Sequence, residues 1–293
     1  MSQQLSLNGV FTALVTPFAG EGIDWDGFAR LIDRQIDAGV HGLVPCGTTG
    51  ESATLTPEEH DAVVKFCVEH VAGRVPIIAG TGSNSTLEAV TRTQIARDNG
   101  VDAALVITPY YNRPTPAGLV EHYRQVASVG LPVVVYNVPS RTGTHLTAED
   151  YLSLSQLDGV FAAKEASGQL GLADRILTET PLQLLSGEDS LTFPLMALGA
   201  HGVIAVTSNV APRAMVTLVE AARRGDMAQA RETHQQLLPL MRALFLESNP
   251  GPVKSALAQL GLIREQLRAP LVPVTAETRA HLAQLLDSPV LAT

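Results

Sequence analysis

Eight short apolar runs recur at intervals of roughly 20 to 35 residues, each followed by a turn and then a helical pattern, and this rhythm constrains the fold more than anything else in the chain. The runs cover residues 10–15, 42–46, 76–79, 103–107, 133–136, 160–163, 182–185 and 203–206. A strand–helix repeat of this length builds parallel sheet, and eight units in series close most economically into a barrel ringed by helices. The expected fold class is therefore α/β, a (β/α)8 TIM barrel, with an open doubly wound sheet as the alternative. Helix starts are written between the runs. Asp24 is placed to cap one helix and Gly39 suits its left-handed exit; Thr56-Pro57-Glu58-Glu59 reads as a capping box with proline in the first turn. Ser85-Thr86-Leu87-Glu88 repeats the box, and Thr147-Ala148-Glu149-Asp150 repeats it more weakly because aspartate is short.

After residue 206 the strand signal stops. Residues 212–222, 226–246, 251–260 and 275–286 read as helices punctuated by prolines. The first completes the barrel, and the others predict a helical appendage, which divides the chain into a barrel at 1–225 and a C-terminal helical domain at 226–293.

A chain of 293 residues that is 45% hydrophobic can bury a core of this size. Its formal charge of −9, without a lysine or arginine cluster, argues against a nucleic-acid partner. The first eight residues lack a basic start and a long apolar run, and no later run is long enough to span a bilayer, so the expected address is the cytoplasm, with no membrane partner. Cys46 and Cys67 suggest neither a disulfide framework nor a zinc pattern, and the eight histidines show no metal-ligand spacing, so no metal is expected. Gly80-Thr81-Gly82 lacks the third glycine of a dinucleotide fingerprint. A negatively charged chain repels acidic substrates globally. Any such ligand has to be held by local groups, which directs attention to isolated cations.

In a parallel barrel the segments that follow the strands gather on one face, where chemistry collects. Here they are rich in hydroxyls and poor in cations. Lys164 ends the apolar run 160–163. Burial disfavours the charged form of a lysine, so this amine is the candidate nucleophile; the alternative is an ammonium that reaches water or pairs with Glu165. Tyr136 is a candidate proton carrier, or else a core aromatic whose hydroxyl finds a backbone partner. Arg141, in Pro139-Ser140-Arg141-Thr142-Gly143, is the candidate fork for a carboxylate, or else a solvated loop cation. Gly47-Thr48-Thr49-Gly50 could wrap an anion in backbone N–H groups, or could be a tight turn only. Glu188 and Asp189 stand where a phosphate site would need a cation.

Together these motifs are more specific than any one of them. Gly47-Thr48-Thr49-Gly50-Glu51, Pro109-Tyr110-Tyr111-Asn112-Arg113-Pro114, the stretch from Tyr136 to Gly143, Lys164-Glu165-Ala166, the stretch from Gly202 to Thr207 and Asn249-Pro250-Gly251-Pro252-Val253-Lys254 resemble the 4-hydroxy-tetrahydrodipicolinate synthase (dihydrodipicolinate synthase) family, essentially end to end. The resemblance implies a TIM barrel with a C-terminal helical domain, assembled as a homotetramer, a dimer of dimers. It also implies a lyase of diaminopimelate and lysine biosynthesis that needs no cofactor. Lys164 would form a Schiff base with pyruvate, whose enamine attacks L-aspartate-4-semialdehyde. By the same resemblance Thr48, Tyr136 and Tyr111 form a hydroxyl relay, with Tyr111 reaching in from a neighbouring subunit. Thr48 and Thr49 would hold the pyruvate carboxylate, Ile204 and Gly187 would line its site, and Arg141 would bind the carboxylate of the semialdehyde. Ser52, Ala53, His60, Asn84, Glu88 and Tyr110 match an L-lysine inhibitor site, from which Pro57 departs. N-acetylneuraminate lyases and 2-keto-3-deoxy sugar-acid aldolases share the glycine loop, the tyrosine and the lysine but resemble the chain less across 139–143. A non-catalytic pyruvate-binding barrel is disfavoured, because every position that the resemblance makes catalytic holds the expected residue.

Overall fold

All eight apolar runs form strands, joined in a parallel ladder that the chain's own helices cover. The computed structural model describes residues 5–288. Residues 1–4, part of the stretch read for a signal, and residues 289–293, the end of the expected helical domain, lie outside the described residues.

The strands are β1 (Gly9–Ala13), β2 (Gly42–Val44), β3 (Ile78–Gly80), β4 (Ala103–Ile107), β5 (Val133–Asn137), β6 (Val160–Glu165), β7 (Gln183–Ser186) and β8 (Gly202–Ala205). They run in the order β2-β1-β8-β7-β6-β5-β4-β3, all parallel. A parallel bridge between Leu43 and Ile77 and the bond from Gly80 N to Pro45 O (2.9 Å) join the two ends. The sheet is therefore a barrel, and the open-sheet alternative is excluded. Strand ends differ from the sequence reading by a few residues. The third strand starts at Ile78 rather than at residue 76, since Pro76 has no amide to contribute and only its carbonyl pairs, with Leu43 N.

Eight helices follow the strands: α1 (Trp25–Asp37), α2 (Pro57–Val71), α3 (Thr86–Asn99), α4 (Pro116–Ala127), α5 (Ala148–Leu154), α6 (Leu170–Glu179), α7 (Thr192–Leu198) and α8 (Pro212–Arg223). Asp24 caps α1 by accepting from Gly27 N, and Thr56 and Glu59 form the expected capping box on α2. The other two boxes come out in reverse. Asp150 completes the one on α5, whereas Glu88 leaves the Ser85 cap unreciprocated, because its carboxylate is taken by Ser83 and Arg92. A two-residue turn at Gly20 and Glu21 also makes a small antiparallel hairpin, Phe18–Ala19 with Gly22–Ile23, which the sequence reading did not anticipate. Beyond residue 225 come α9 (Met227–Ala243), α10 (Gly251–Gln259) and α11 (Ala276–Leu286). Among the described residues no helix is long and apolar enough to cross a membrane.

Strand periodicity separates two apolar layers. Val10, Val106, Val135, Ala163 and Val203 face the helices, while Phe11, Leu105, Val134, Ala162 and Ile204 fill the barrel interior. Both cysteines are free and buried in the outer layer; burial holds their thiols well above the usual range, that of Cys67 at about 12, so neither is a reactive thiolate.

His122 of α4 is also buried there, its Nδ1 3.0 Å from Thr86 Oγ1 and its Nε2 without a partner among the described residues. Burial holds its pKa down at about 4, below the ordinary 6.5. The unfolded chain then binds a proton that the folded chain refuses, so the stability this site contributes is complete above pH 6.5 and is lost as pH falls from 6.5 toward 4. Between pH 7 and 5 the loss is about 2 kcal/mol. Urea midpoints should fall over that interval, and His122→Asn should flatten the slope by about that amount. An equal slope in both proteins would remove His122 from the account.

Candidate active site

Alternation along β6 decides the orientation of the key lysine. Ala162 points into the barrel and Ala163 toward the helices, so Lys164 points in and Glu165 out. Glu165 does not pair with the lysine. Its carboxylate accepts from Tyr151 Oη (2.6 Å), Asn137 Nδ2 (2.9 Å) and Ser167 N (2.6 Å), on the far side of the strand. The reading of Lys164 as half of a local ion pair is thereby removed.

Tyr136 is in register with Lys164 on the neighbouring strand, and Lys164 Nζ lies 4.2 Å from the centre of its ring. Both side chains are buried, at 6% and 7% exposure, so an ammonium there has few waters and leans on the aromatic face. Tyr136 packs in the interior cluster, and the pattern of a core hydroxyl bonded to a backbone carbonyl is seen at Tyr123, whose hydroxyl donates to Val106 O (2.8 Å). On the other flank of Lys164 is Gly187. A Cβ there would lie 3.0 Å from Lys164 Cγ and 2.7 Å from Ala166 Cβ, so only glycine leaves the lysine its place. Ile204 fills the interior beneath, fully buried.

The Gly47–Gly50 stretch is a tight turn after β2. Gly50 N and Glu51 N close on Gly47 O and Thr48 O (both 3.1 Å), and the turn is flanked by two non-glycine residues with positive φ, Cys46 (56°) and Glu51 (54°). Thr48 is half-buried and Thr49 buried, its Oγ1 accepting from Asn249 Nδ2 (3.0 Å). Arg141 stands in a single helical turn, Pro139–Thr142, where the sequence suggested a loop. It is exposed, and its Nη2 donates to Asn249 O (3.4 Å). Tyr111 is 91% exposed on a left-handed backbone (φ 71°), so its ring points away from its own barrel. After β8, Asp189 occupies the backbone amides of Val206 (3.0 Å) and Thr207 (2.6 Å), which closes the phosphate site that its position had already argued against.

Of the residues proposed from resemblance for lysine, two line one cavity. A cavity of about 310 Å³ between α2 and α3 is lined by His60 and Glu88 together with Pro57 and Arg92, whereas Ser52, Ala53, Asn84 and Tyr110 are not in its wall. His60 spends Nε2 on Gly80 O (2.8 Å), and Glu88 is held by Arg92 (2.5 Å) and Ser83 (2.6 Å).

Comparison with known proteins agrees with the fold. Residues 6–288 match the family model described as the dihydrodipicolinate synthetase family. The chain belongs to that family. Among its curated relatives, the 4-hydroxy-tetrahydrodipicolinate synthase of Methanothrix thermoacetophila is 50% identical over 283 residues, covering 95% of each chain. That of Nitratidesulfovibrio vulgaris is 48% identical over 286 residues, 96% of this chain and 98% of the relative. Among solved structures, the chloride-inhibited dihydrodipicolinate synthase of Acinetobacter baumannii complexed with pyruvate superposes with a TM-score of 0.95 at 40% identity, covering 98% of this chain and all of that one.

Within this dihydrodipicolinate synthetase family member, two features escaped the sequence reading. Lys254 is more deeply buried than Lys164, at 0% exposure. It pairs with Glu51, donates to Gln266 O (3.0 Å) and lies 4.1 Å from the centre of the Phe18 ring. Burial pulls its pKa down to about 8 against the opposing pull of Glu51. Asn249, five residues earlier, enters the barrel mouth. Both lie in the motif quoted for the resemblance, but nothing local shows what they touch, because their partners are about 200 residues away.

Proposed function

We propose that this lyase condenses pyruvate with L-aspartate-4-semialdehyde through a Schiff base on Lys164. The observation that carries the reading is a lysine nitrogen enclosed at the barrel mouth, against a tyrosine ring and with its neighbouring carboxylate turned to the other side of the strand. In the proposed sequence the Lys164 amine adds to the keto carbon of pyruvate and water leaves as the imine forms. The protonated imine accepts electrons when a methyl proton is lost, and the resulting enamine carbon bonds to the aldehyde carbon of the second substrate. The product then cyclises and leaves, returning the amine.

Thr48 and Thr49 at the turn are proposed to hold the pyruvate carboxylate, with Ile204 and Gly187 bounding the keto acid. Arg141 is proposed to take the carboxylate of the semialdehyde, for which its exposed position at the mouth is suited. Tyr136 is proposed to carry protons with Thr48 and with Tyr111 of a neighbouring copy. The outward-held Tyr111, next in the chain to the exposed Tyr110, supports contact with a neighbouring copy, and the assembly is proposed to be a dimer of dimers.

A coupled assay tests the reading. Pyruvate plus L-aspartate-4-semialdehyde, followed through a downstream reductase, should turn over, while N-acetylneuraminate and 2-keto-3-deoxy sugar acids should not be cleaved. Turnover of the sugar acids alone would reassign the chain to the aldolases.

A further inference from the structure

The C-terminal chain does more than cover the barrel. We propose that Asn249 is a positioning residue that sets the direction of the Thr49 hydroxyl and fixes Arg141, tying the two carboxylate-binding elements to one another. The proposal rests on the function proposed above.

Asn249 lies between α9 and α10 at 6% exposure, and contacts both elements at once. Its side-chain Nδ2 donates to Thr49 Oγ1 (3.0 Å), and its backbone carbonyl accepts from Arg141 Nη2 (3.4 Å). Among the described residues its Oδ1 has no partner. Turning the amide over would strand a buried NH2 in place of a buried carbonyl, and unpaired donors are the rarer and costlier of the two. The amide therefore stays a donor to Thr49. A hydroxyl that accepts from an amide still has its own hydrogen to give, and at Thr49 that hydrogen is left for an anion in the mouth. A buried donor of fixed direction recognises a carboxylate better than a freely rotating hydroxyl, because no alternative partner has to be given up.

The same segment is anchored where it meets the turn. Lys254, on the first turn of α10, pairs with Glu51, two residues beyond Thr49. Arg268 donates its backbone N–H to the other Glu51 oxygen (3.0 Å) and its guanidinium to both Glu59 oxygens (2.5 Å each). The turn that carries Thr48 and Thr49 is thus held at both Thr49 and Glu51 by residues that come after the barrel.

Asn249→Asp tests the direction of the hydrogen bond with almost no change in shape. A carboxylate accepts from Thr49, reversing the hydroxyl and adding a negative charge beside the pyruvate subsite. The pyruvate KM should rise at least about tenfold near pH 8, the size of one hydrogen bond to a charged group, with kcat within about threefold. The KM for the aldehyde should move less, because Arg141 is held by the backbone carbonyl, which the substitution keeps. Relative to wild type at the same pH, lowering the pH toward 5.5 should restore much of the pyruvate affinity, since burial at this 6%-exposed position beside a bound carboxylate raises the introduced carboxyl above its ordinary value of about 3.9, and the protonated form can donate to Thr49 as the amide does. Asn249→Ala should raise the pyruvate KM with no such recovery. A pyruvate KM within twofold of wild type in both variants, or an Asn249→Asp defect of equal size at pH 5.5 and 8, overturns the proposal. Borohydride trapping at graded pyruvate concentrations reads the same affinity without the aldehyde, so a wrong second substrate would leave the test intact; a wild type that forms no adduct overturns both readings.

Discussion

Lys164→Ala should form no borohydride-stable adduct with pyruvate, and its turnover should fall by at least about 10³, some 4 kcal/mol of barrier. No other side chain is placed to substitute. The chain has three lysines, of which Lys65 is exposed on α2 and Lys254 is enclosed by Glu51, Gln266 and Phe18. This makes the wild-type result unusually easy to read, since a peptide map needs to assign the adduct among only three lysines and the α-amino group. The substitution should leave the fold intact, because it removes an amine from a poorly solvated site and leaves Ala162, Ile204 and Leu185 to line the interior. Label found on Lys254 instead, or a Lys164→Ala enzyme that keeps a tenth of its activity, would end the Schiff-base account.

Lys254→Met should destabilise the protein by about 3–5 kcal/mol, the cost of leaving one member of a buried ion pair without its partner. Glu51 would keep only the Arg268 backbone N–H, at 0% side-chain exposure. Desolvation, which already draws the Lys254 pKa down to about 8, shows that the pair is held against a cost and survives through its geometry. A second substitution tests that explanation. Glu51→Gln with Lys254→Met removes the stranded charge while an amide oxygen can still accept from Arg268, so the double variant should recover part of the loss in urea denaturation. If the double variant is as unstable as the sum of the two single ones, packing around Phe18 and not charge explains the effect.

Much of the molecule was legible from pattern alone, for reasons that are local. Strands buried on both faces read as continuous apolar runs, and caps such as Asp24 and the Thr56–Glu59 box act within four residues, so neighbouring sequence specifies them. The capping boxes also show where local reading failed. Glu88 and Asp150 occupy equivalent positions, and helix chemistry favours the longer glutamate; a salt bridge to Arg92 and a bond from Ser83 drew Glu88 away. The hairpin around Gly20 was missed because two-residue strands carry too little pattern to distinguish from loop.

What the sequence determined by itself was the eightfold repeat, the positions of the helix starts and the presence of one lysine at the end of an apolar strand, since each depends on residues close together in the chain. The tertiary structure alone decided that Lys164 faces Tyr136 while Glu165 turns away, and that Asn249 and Lys254 reach back some 200 residues to hold the turn at the mouth. Register between strands and contact between distant segments follow from closing the barrel, and no stretch of the chain carries that information until the ends of the sheet meet.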